Sequence, residues 1–277
     1  MNLFEKITHF LDADMTEPQP YGIFHIVSFV LVVLLTAFLV YKFKDASDKT
    51  FRIIVFSFWV AIVLFEVYKQ INFSFSYNDG DPIWDYQWYA FPYQFCSTPL
   101  YVLPFIAFLK NGKVRDACIS FMTYFSLVGG IVVFAYPGDV FIETIGINIQ
   151  TMFHHGMQLV FGIYFTVYNR RKVNFKYFLS AVPVFTALTL IAMLLNIVIH
   201  AYFMANGIDE TFNMFFISPY YECTLPVFSN FYSILPYPIF LFLYILGMAM
   251  GSSAIFFVQE AILSICKATK SKERKNA

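Results

Sequence analysis

The sequence predicts an all-α membrane protein, a bundle of seven transmembrane helices with the N-terminus outside and the C-terminus in the cytoplasm. Three observations carry this expectation. Of 277 residues, 59% are hydrophobic and 13% charged, with a mean hydropathy of +0.63. A soluble domain of this size carries roughly 25% charged residues, so most of this surface does not face water. Long apolar runs recur along the chain, and lipid leaves helices or closed barrels as the structures that satisfy every backbone group. Basic residues fall in alternate connections. This composition excludes a nucleic-acid binder, a secreted disulfide scaffold and a soluble dinucleotide enzyme.

Seven stretches are long enough to cross roughly 30 Å of hydrocarbon: Tyr21–Tyr41, Phe51–Phe73, Pro92–Leu109, Val114–Tyr136, Asn148–Tyr168, Phe178–Phe203 and Leu235–Leu263. The third is the shortest and contains Pro99 and Pro104. Its freed carbonyls need neighbours to satisfy them, which predicts a kinked rather than a broken helix. Residues 1–20 are polar and acidic and lack the features of a cleavable signal. One domain, 1–277, is the simplest organisation. The long connection Met204–Ile234 is a candidate cap or interfacial segment, and Trp84, Trp88, Tyr86, Tyr89 and Tyr93 form an aromatic belt at the outer interface.

Lys42, Lys44, Lys49 and Arg52 flank the first connection; Lys110, Lys113 and Arg115 the third; Arg170, Arg171, Lys172 and Lys176 the fifth; Lys267, Lys270, Lys272, Arg274 and Lys275 the tail. These are 16 of the 18 basic residues. The opposite side holds acids that include Glu5, Asp79, Asp81, Asp139 and Glu143. The positive-inside rule therefore sets the orientation of a multi-pass membrane protein.

Polar side chains inside a bilayer are costly and mark candidate sites. Here they gather in one stratum beneath the outer headgroups. Cys96 lies roughly 6 Å below the outer end of the third span, and His154 and His155 roughly 9–11 Å below that of the fifth. Glu66 and Lys69 are near the outer end of the second span, and Gln94, Gln158 and Asn230 lie at similar levels. Glu66 and Lys69, at i and i+3, also suit a structural pair. His25 and His200 suit interfacial positions, and Gly129–Gly130 and Gly247-x-x-x-Gly251 suit close packing. No Cys-x-x-Cys exists, so no metal and no cofactor is expected. A Cys96–Cys223 disulfide is an alternative on the outer side.

A thiol near a helix N-terminus and an imidazole is primed as a nucleophile, and Pro92 suits the first turn of such a helix. The adjoining histidine would take the thiol proton and return it to a leaving alcohol. At this depth the electrophile is the acyl ester of a membrane phospholipid, with Gln94 a candidate amide for its carbonyl.

Phe91-Pro92-Tyr93-Gln94-Phe95-Cys96, then Phe153-His154-His155-Gly156, then Leu235-Pro236-Tyr237-Pro238 resemble the YwaF-like bacterial membrane proteins, which belong with the animal transmembrane protein 164 group. The resemblance covers nearly the whole chain, and its bacterial members imply a cell membrane, the plasma membrane of a bacterium, as the location. It implies a coenzyme A-independent acyltransferase that moves a fatty acyl chain between phospholipids. Cys96 matches the family Cys and His155 its His, with His154 as second choice; Glu66 and Lys69 would position the headgroup or orient the His. One departure stands out: the family commonly has a His two residues before the Cys, where this chain has Gln94.

Two other classes compete. A seven-helix receptor or sensor would be non-enzymatic, but Lys110-Asn111-Gly112-Lys113 stands where an Asp-Arg-Tyr run would follow the third span. A proton-coupled transporter needs polar residues through the inner half and repeated halves, and the sequence has neither.

Overall fold

Helices account for nearly every long element, as the apolar runs require. The computed structural model describes residues 3–78, 81–138 and 140–276. In chain order they form α1 (Leu3–Leu11), α2 (Ile23–Phe43), α3 (Asp48–Asn72), a hairpin of β1 (Phe75–Asn78) and β2 (Asp81–Trp84), and 3-10 turns at Trp88–Ala90 and Phe95–Ser97. There follow α4 (Thr98–Phe108), α5 (Lys113–Phe121), a π-helical turn at Met122–Ser126, α6 (Leu127–Ala135), α7 (Ile145–Tyr168), α8 (Phe175–Leu179), α9 (Val182–Asn206), a 3-10 turn at Met214–Phe216, α10 (Phe228–Tyr232) and α11 (Tyr237–Asn276).

Five helical segments among the described residues are long and apolar enough to cross a membrane: Ile23–Phe43, Asp48–Asn72, Lys113–Ala135, Phe175–Asn206 and Tyr237–Cys266. Two expected spans differ from this pattern. α7 has 24 residues, so it has the length. Its Asn148, Gln150, Thr151, His154, His155 and Gln158 lower its hydropathy. Sixteen of its residues are buried. It packs among α2, α3, α6 and the π-turn, so protein rather than lipid meets its polar positions.

The expected span Pro92–Leu109 is corrected more sharply. Pro92 does not open a helix. The α-helix begins at Thr98 and has 11 residues, which rise only roughly 16 Å. Pro99 sits in its first turn. There its missing N–H is no loss; the Phe95 carbonyl accepts from the Thr98 backbone N–H and from the Thr98 Oγ1 hydroxyl at 2.8 Å. Pro104, inside the helix, frees the carbonyl of Leu100, and the Trp59 indole Nε1–H on α3 donates to it at 3.0 Å. α4 therefore runs unbroken through Pro104, with the freed oxygen met by a neighbour as the sequence requires.

Local signals explain other ends. Ser47 caps α3, its Oγ accepting from the Thr50 N–H at 3.2 Å. Gly207, at φ +64°, closes α9 in a left-handed conformation open to glycine. The connection after α9 folds back into the bundle: Phe212, Met214, Phe215 and Ile217 are fully buried, and Tyr93 stacks on Phe215 with ring centroids 5.8 Å apart. Tyr93 is thus buried in the protein instead of joining the interfacial belt.

Three basic connections meet at one end. Arg170 pairs with Asp45, Arg115 with Asp48 at 2.7 Å and Lys172 with Asp116 at 2.7 Å. Asp79 and Asp139 lie outside the described residues, as do the side chains of Glu5, Asp81, Lys267, Lys270, Lys272, Arg274 and Lys275.

Candidate functional site

Cys96 lies in the 3-10 turn that leads into α4. This corrects its expected place one turn inside a helix: it stands at the helix entrance, still beside the positive end of the helix dipole. Counting about 1.5 Å per residue along α4 and about 2 Å through the turn puts it roughly 19 Å from Phe108. The same count puts His155 on α7 roughly 20 Å from Tyr168. Asn111 and Tyr168 line one cavity at the basic end, so Cys96 and His155 share a level roughly 20 Å from that end.

Gln158 joins the two elements. It lies one turn after His155 on α7 and is fully buried; its Nε2 donates to the Cys96 carbonyl at 3.2 Å. Close helix packing fixes this register. A Cβ on Gly130 of α6 would stand 2.9 Å from the His155 carbonyl and 3.0 Å from the Gln158 Cβ, so glycine lets α6 and α7 approach.

The two imidazoles are held differently. His155 Nδ1 is 2.8 Å from the Thr151 carbonyl. A carbonyl only accepts, so Nδ1 carries the proton and Nε2 keeps a lone pair in the neutral ring. The Gln150 Nε2 amide, as placed, donates to His154 Nδ1 at 2.6 Å. That leaves the proton on His154 Nε2, a buried atom with no hydrogen-bond partner.

Glu66 and Lys69 complete the cluster. Lys69 Nζ is 2.8 Å from Glu66 Oε1, with side-chain exposures of 15% and 8%. The other carboxylate oxygen is 3.9 Å from His154 Nδ1 and takes no hydrogen bond. Gln70 Nε2 donates to Glu66 Oε1 and to the Ala90 carbonyl, both at 2.8 Å, and the Tyr86 hydroxyl donates to Gln70 Oε1 at 2.8 Å. Burial, reinforced by Glu66, pushes the Tyr86 phenol up to about 12, so it remains a donor. Cys96, Glu66, Lys69, His154, His155 and Gln158 are therefore one neighbourhood. Among the described residues no hydrogen bond joins the Cys96 thiol to either ring.

Gln94 and Asn230 stand apart. The Gln94 amide donates to the Asn213 carbonyl and accepts from the Phe215 N–H, both at 3.0 Å. It ties down the loop in which Phe215 and Phe216 adopt positive φ. Asn230 is exposed on α10, which packs mainly on α11. His25 is buried at 4% exposure and stacks on Phe134, unlike an interfacial residue. All four cysteines are free, with Cys223 buried. Sequence reasoning passed over Gln150, Thr151, Gln70 and Tyr86. The first three carried a signal, because each sits four residues from the His154, His155 or Glu66 it contacts.

A cavity of about 320 Å³ adjoins this cluster, lined by Val63, Glu66, Val67, Gln70, Ile71 and Leu100 among others. Val67, Ile71 and Trp84 on its walls are exposed apolar residues. It runs between α3, the paired strands (Phe75 and Trp84) and Leu100 of α4, not between α4 and α7.

A family model matches residues 20–257, from the start of α2 deep into α11. The chain belongs to the TMEM164 family. The match takes in Cys96, both histidines and the Glu66–Lys69 pair. Searches of curated proteins and of solved structures find no match.

Proposed function

We propose that this TMEM164-family protein is a membrane-embedded acyltransferase that passes a fatty acyl chain between phospholipids through Cys96. In the same reading α4 and α7 complete a seven-segment bundle in a cell membrane, with the basic connections cytoplasmic. The observation that carries the proposal is the fixed tautomer of His155. Its Nδ1–H is committed to the Thr151 carbonyl, and Nε2 is left able to accept a proton at the level of Cys96.

In the first half-reaction His155 Nε2 takes the Cys96 proton and the thiolate attacks the ester carbonyl of a donor phospholipid. The sulfur–carbon bond forms, the carbon–oxygen bond breaks, and the imidazolium returns its proton to the departing glycerol oxygen. In the second half-reaction a lysophospholipid hydroxyl gives its proton to His155 and attacks the thioester, and the Cys96 thiolate leaves. The thiol and ring close on each other when substrate arrives, since such bonds are often long before it does. The groove beside Glu66 suits an acyl chain on its apolar wall, with Lys69 facing the headgroup phosphate. Gln94 is spent on the loop, so it serves the site by positioning rather than by contact with substrate.

The test is reconstitution of the purified protein with phospholipid carrying a labelled acyl chain. The expected result is a hydroxylamine-sensitive label on Cys96 and label transfer to lysophospholipid, with transfer lost in Cys96→Ser and His155→Ala and retained in His154→Gln. Equal transfer by parent, Cys96→Ser and His155→Ala would refute the mechanism.

A further inference from the structure

At the basic end of the bundle, roughly 20 Å along the helices from the level of Cys96, three connections enclose a second cavity, of about 440 Å³. Residues 44–48, between α2 and α3, form one wall; Asn111, Arg115 and Asp116 form another; residues 168–172 form the third. Five cations line it (Lys44, Arg115, Arg170, Arg171 and Lys172) against three carboxylates (Asp45, Asp48 and Asp116). Each carboxylate already has its cation, through Arg170–Asp45, Arg115–Asp48 and Lys172–Asp116. Lys44 and Arg171 have no carboxylate within ion-pair distance among the described residues, so two positive charges remain over.

Arg115 is the unusual member, because it is only 4% exposed. Its Nε donates to the Ile106 carbonyl at 2.8 Å, and its Nη1 serves Asp48 and Asn111. The guanidinium carbon stands 5.4 Å over the Phe51 ring, so the plane is fixed. Its Nη2 is buried with no partner. A buried charged donor lacking an acceptor is costly and rare in a folded protein, and a fixed guanidinium suits the oxygens of a phosphate.

We infer that this cavity is an anion site that takes a phosphate group, with Arg115 as its fixed anchor and the exposed Arg171 and Lys44 as the cations that complete it. The group is either the headgroup phosphate of an anionic phospholipid or a free phosphate. The site is separate from the Cys96 cluster and stands whether or not acyl transfer does.

The experiment uses the full chain, delipidated in neutral detergent. One arm titrates inorganic phosphate by calorimetry. The other arm places the protein in nanodiscs of phosphatidylcholine with or without phosphatidylglycerol and identifies retained lipid by native mass spectrometry. Arg171→Gln is the primary variant, since Arg171 is exposed and pairs with no carboxylate. Arg115→Lys is the second and keeps the charge while losing the planar fork. Either variant is expected to weaken binding by about tenfold or more. Phosphate binding without lipid identifies a free anion as the ligand. Retention of phosphatidylglycerol over phosphatidylcholine, without phosphate binding, identifies a headgroup. Binding of neither anion, or binding that Arg171→Gln leaves unchanged, overturns the inference.

Discussion

Replacing Lys69 with Met tests whether Glu66 and Lys69 form a buried, mutually dependent pair. Lys69 and the Gln70 amide are the partners of Glu66 Oε1, and the other oxygen has no hydrogen bond. The glutamate side chain is 8% exposed, so water does little to replace the lost ammonium. Removing one partner of a buried pair costs about 3–5 kcal/mol, because the other charge stays behind. Glu66→Gln is the milder change. Lys69 is in the last turn of α3 and more exposed, so its stem can carry the ammonium outward, at a cost of about 1–2 kcal/mol. The double variant Glu66→Gln/Lys69→Met removes both charges, and most of the loss should return. The resulting coupling energy is about 2–4 kcal/mol, well beyond the few tenths expected of independent sites. The assay is reversible unfolding in mixed micelles, followed by tryptophan fluorescence. Two single changes that each cost under about 1 kcal/mol and simply add would refute the reasoning, for the pair would then be a solvated one.

Trp59→Phe should destabilise the protein by about 1–3 kcal/mol, since it orphans the Leu100 carbonyl that Pro104 frees; the same unfolding assay reads it. Gly130→Ala should cost about 1–3 kcal/mol through overpacking and should lower acyl transfer by more than the folded fraction explains, because the methyl meets the His155 carbonyl; folded yield and transfer rate measured together separate the two effects. The Arg170 guanidinium holds the Asp45 carboxyl below the usual carboxylate range. A depressed carboxylate contributes stability above its unfolded pKa, about 3.9, and loses it as pH falls through the folded value. The small difference in Tm between parent and Asp45→Asn should therefore be present at pH 7 and vanish in the acid range below about pH 4.

The helices were legible in the sequence because apolar length is a local property. α2, α3 and the last helix begin within a few residues of the expected positions. Clustered basic residues likewise marked connections that the fold brings together. The start of α4 was misplaced because two prolines, Pro92 and Pro99, equally suit a first helical turn, and it is Pro99 that occupies it. The antiparallel pair of Phe75–Asn78 with Asp81–Trp84 was missed because four-residue strands carry little periodicity. The gathering of Glu66, Lys69, His154 and Cys96 was legible as a shared depth. Which ring keeps a lone pair on Nε2 was not, although Thr151 and Gln150 each stood one turn before their histidine. Gln94 was misread because its partners, Asn213 and Phe215, lie more than a hundred residues away and no local pattern points to them.

The brevity of α4 and the polarity of α7 bear on biogenesis. During synthesis the translocon reads segments one at a time, and neither of these would partition strongly into lipid by itself. Each depends on earlier helices to receive it: α4 on the Trp59 side of α3, α7 on the wall made by α2 and α6. The polar level of Cys96 and His155 would then be assembled only once those apolar helices have settled around it.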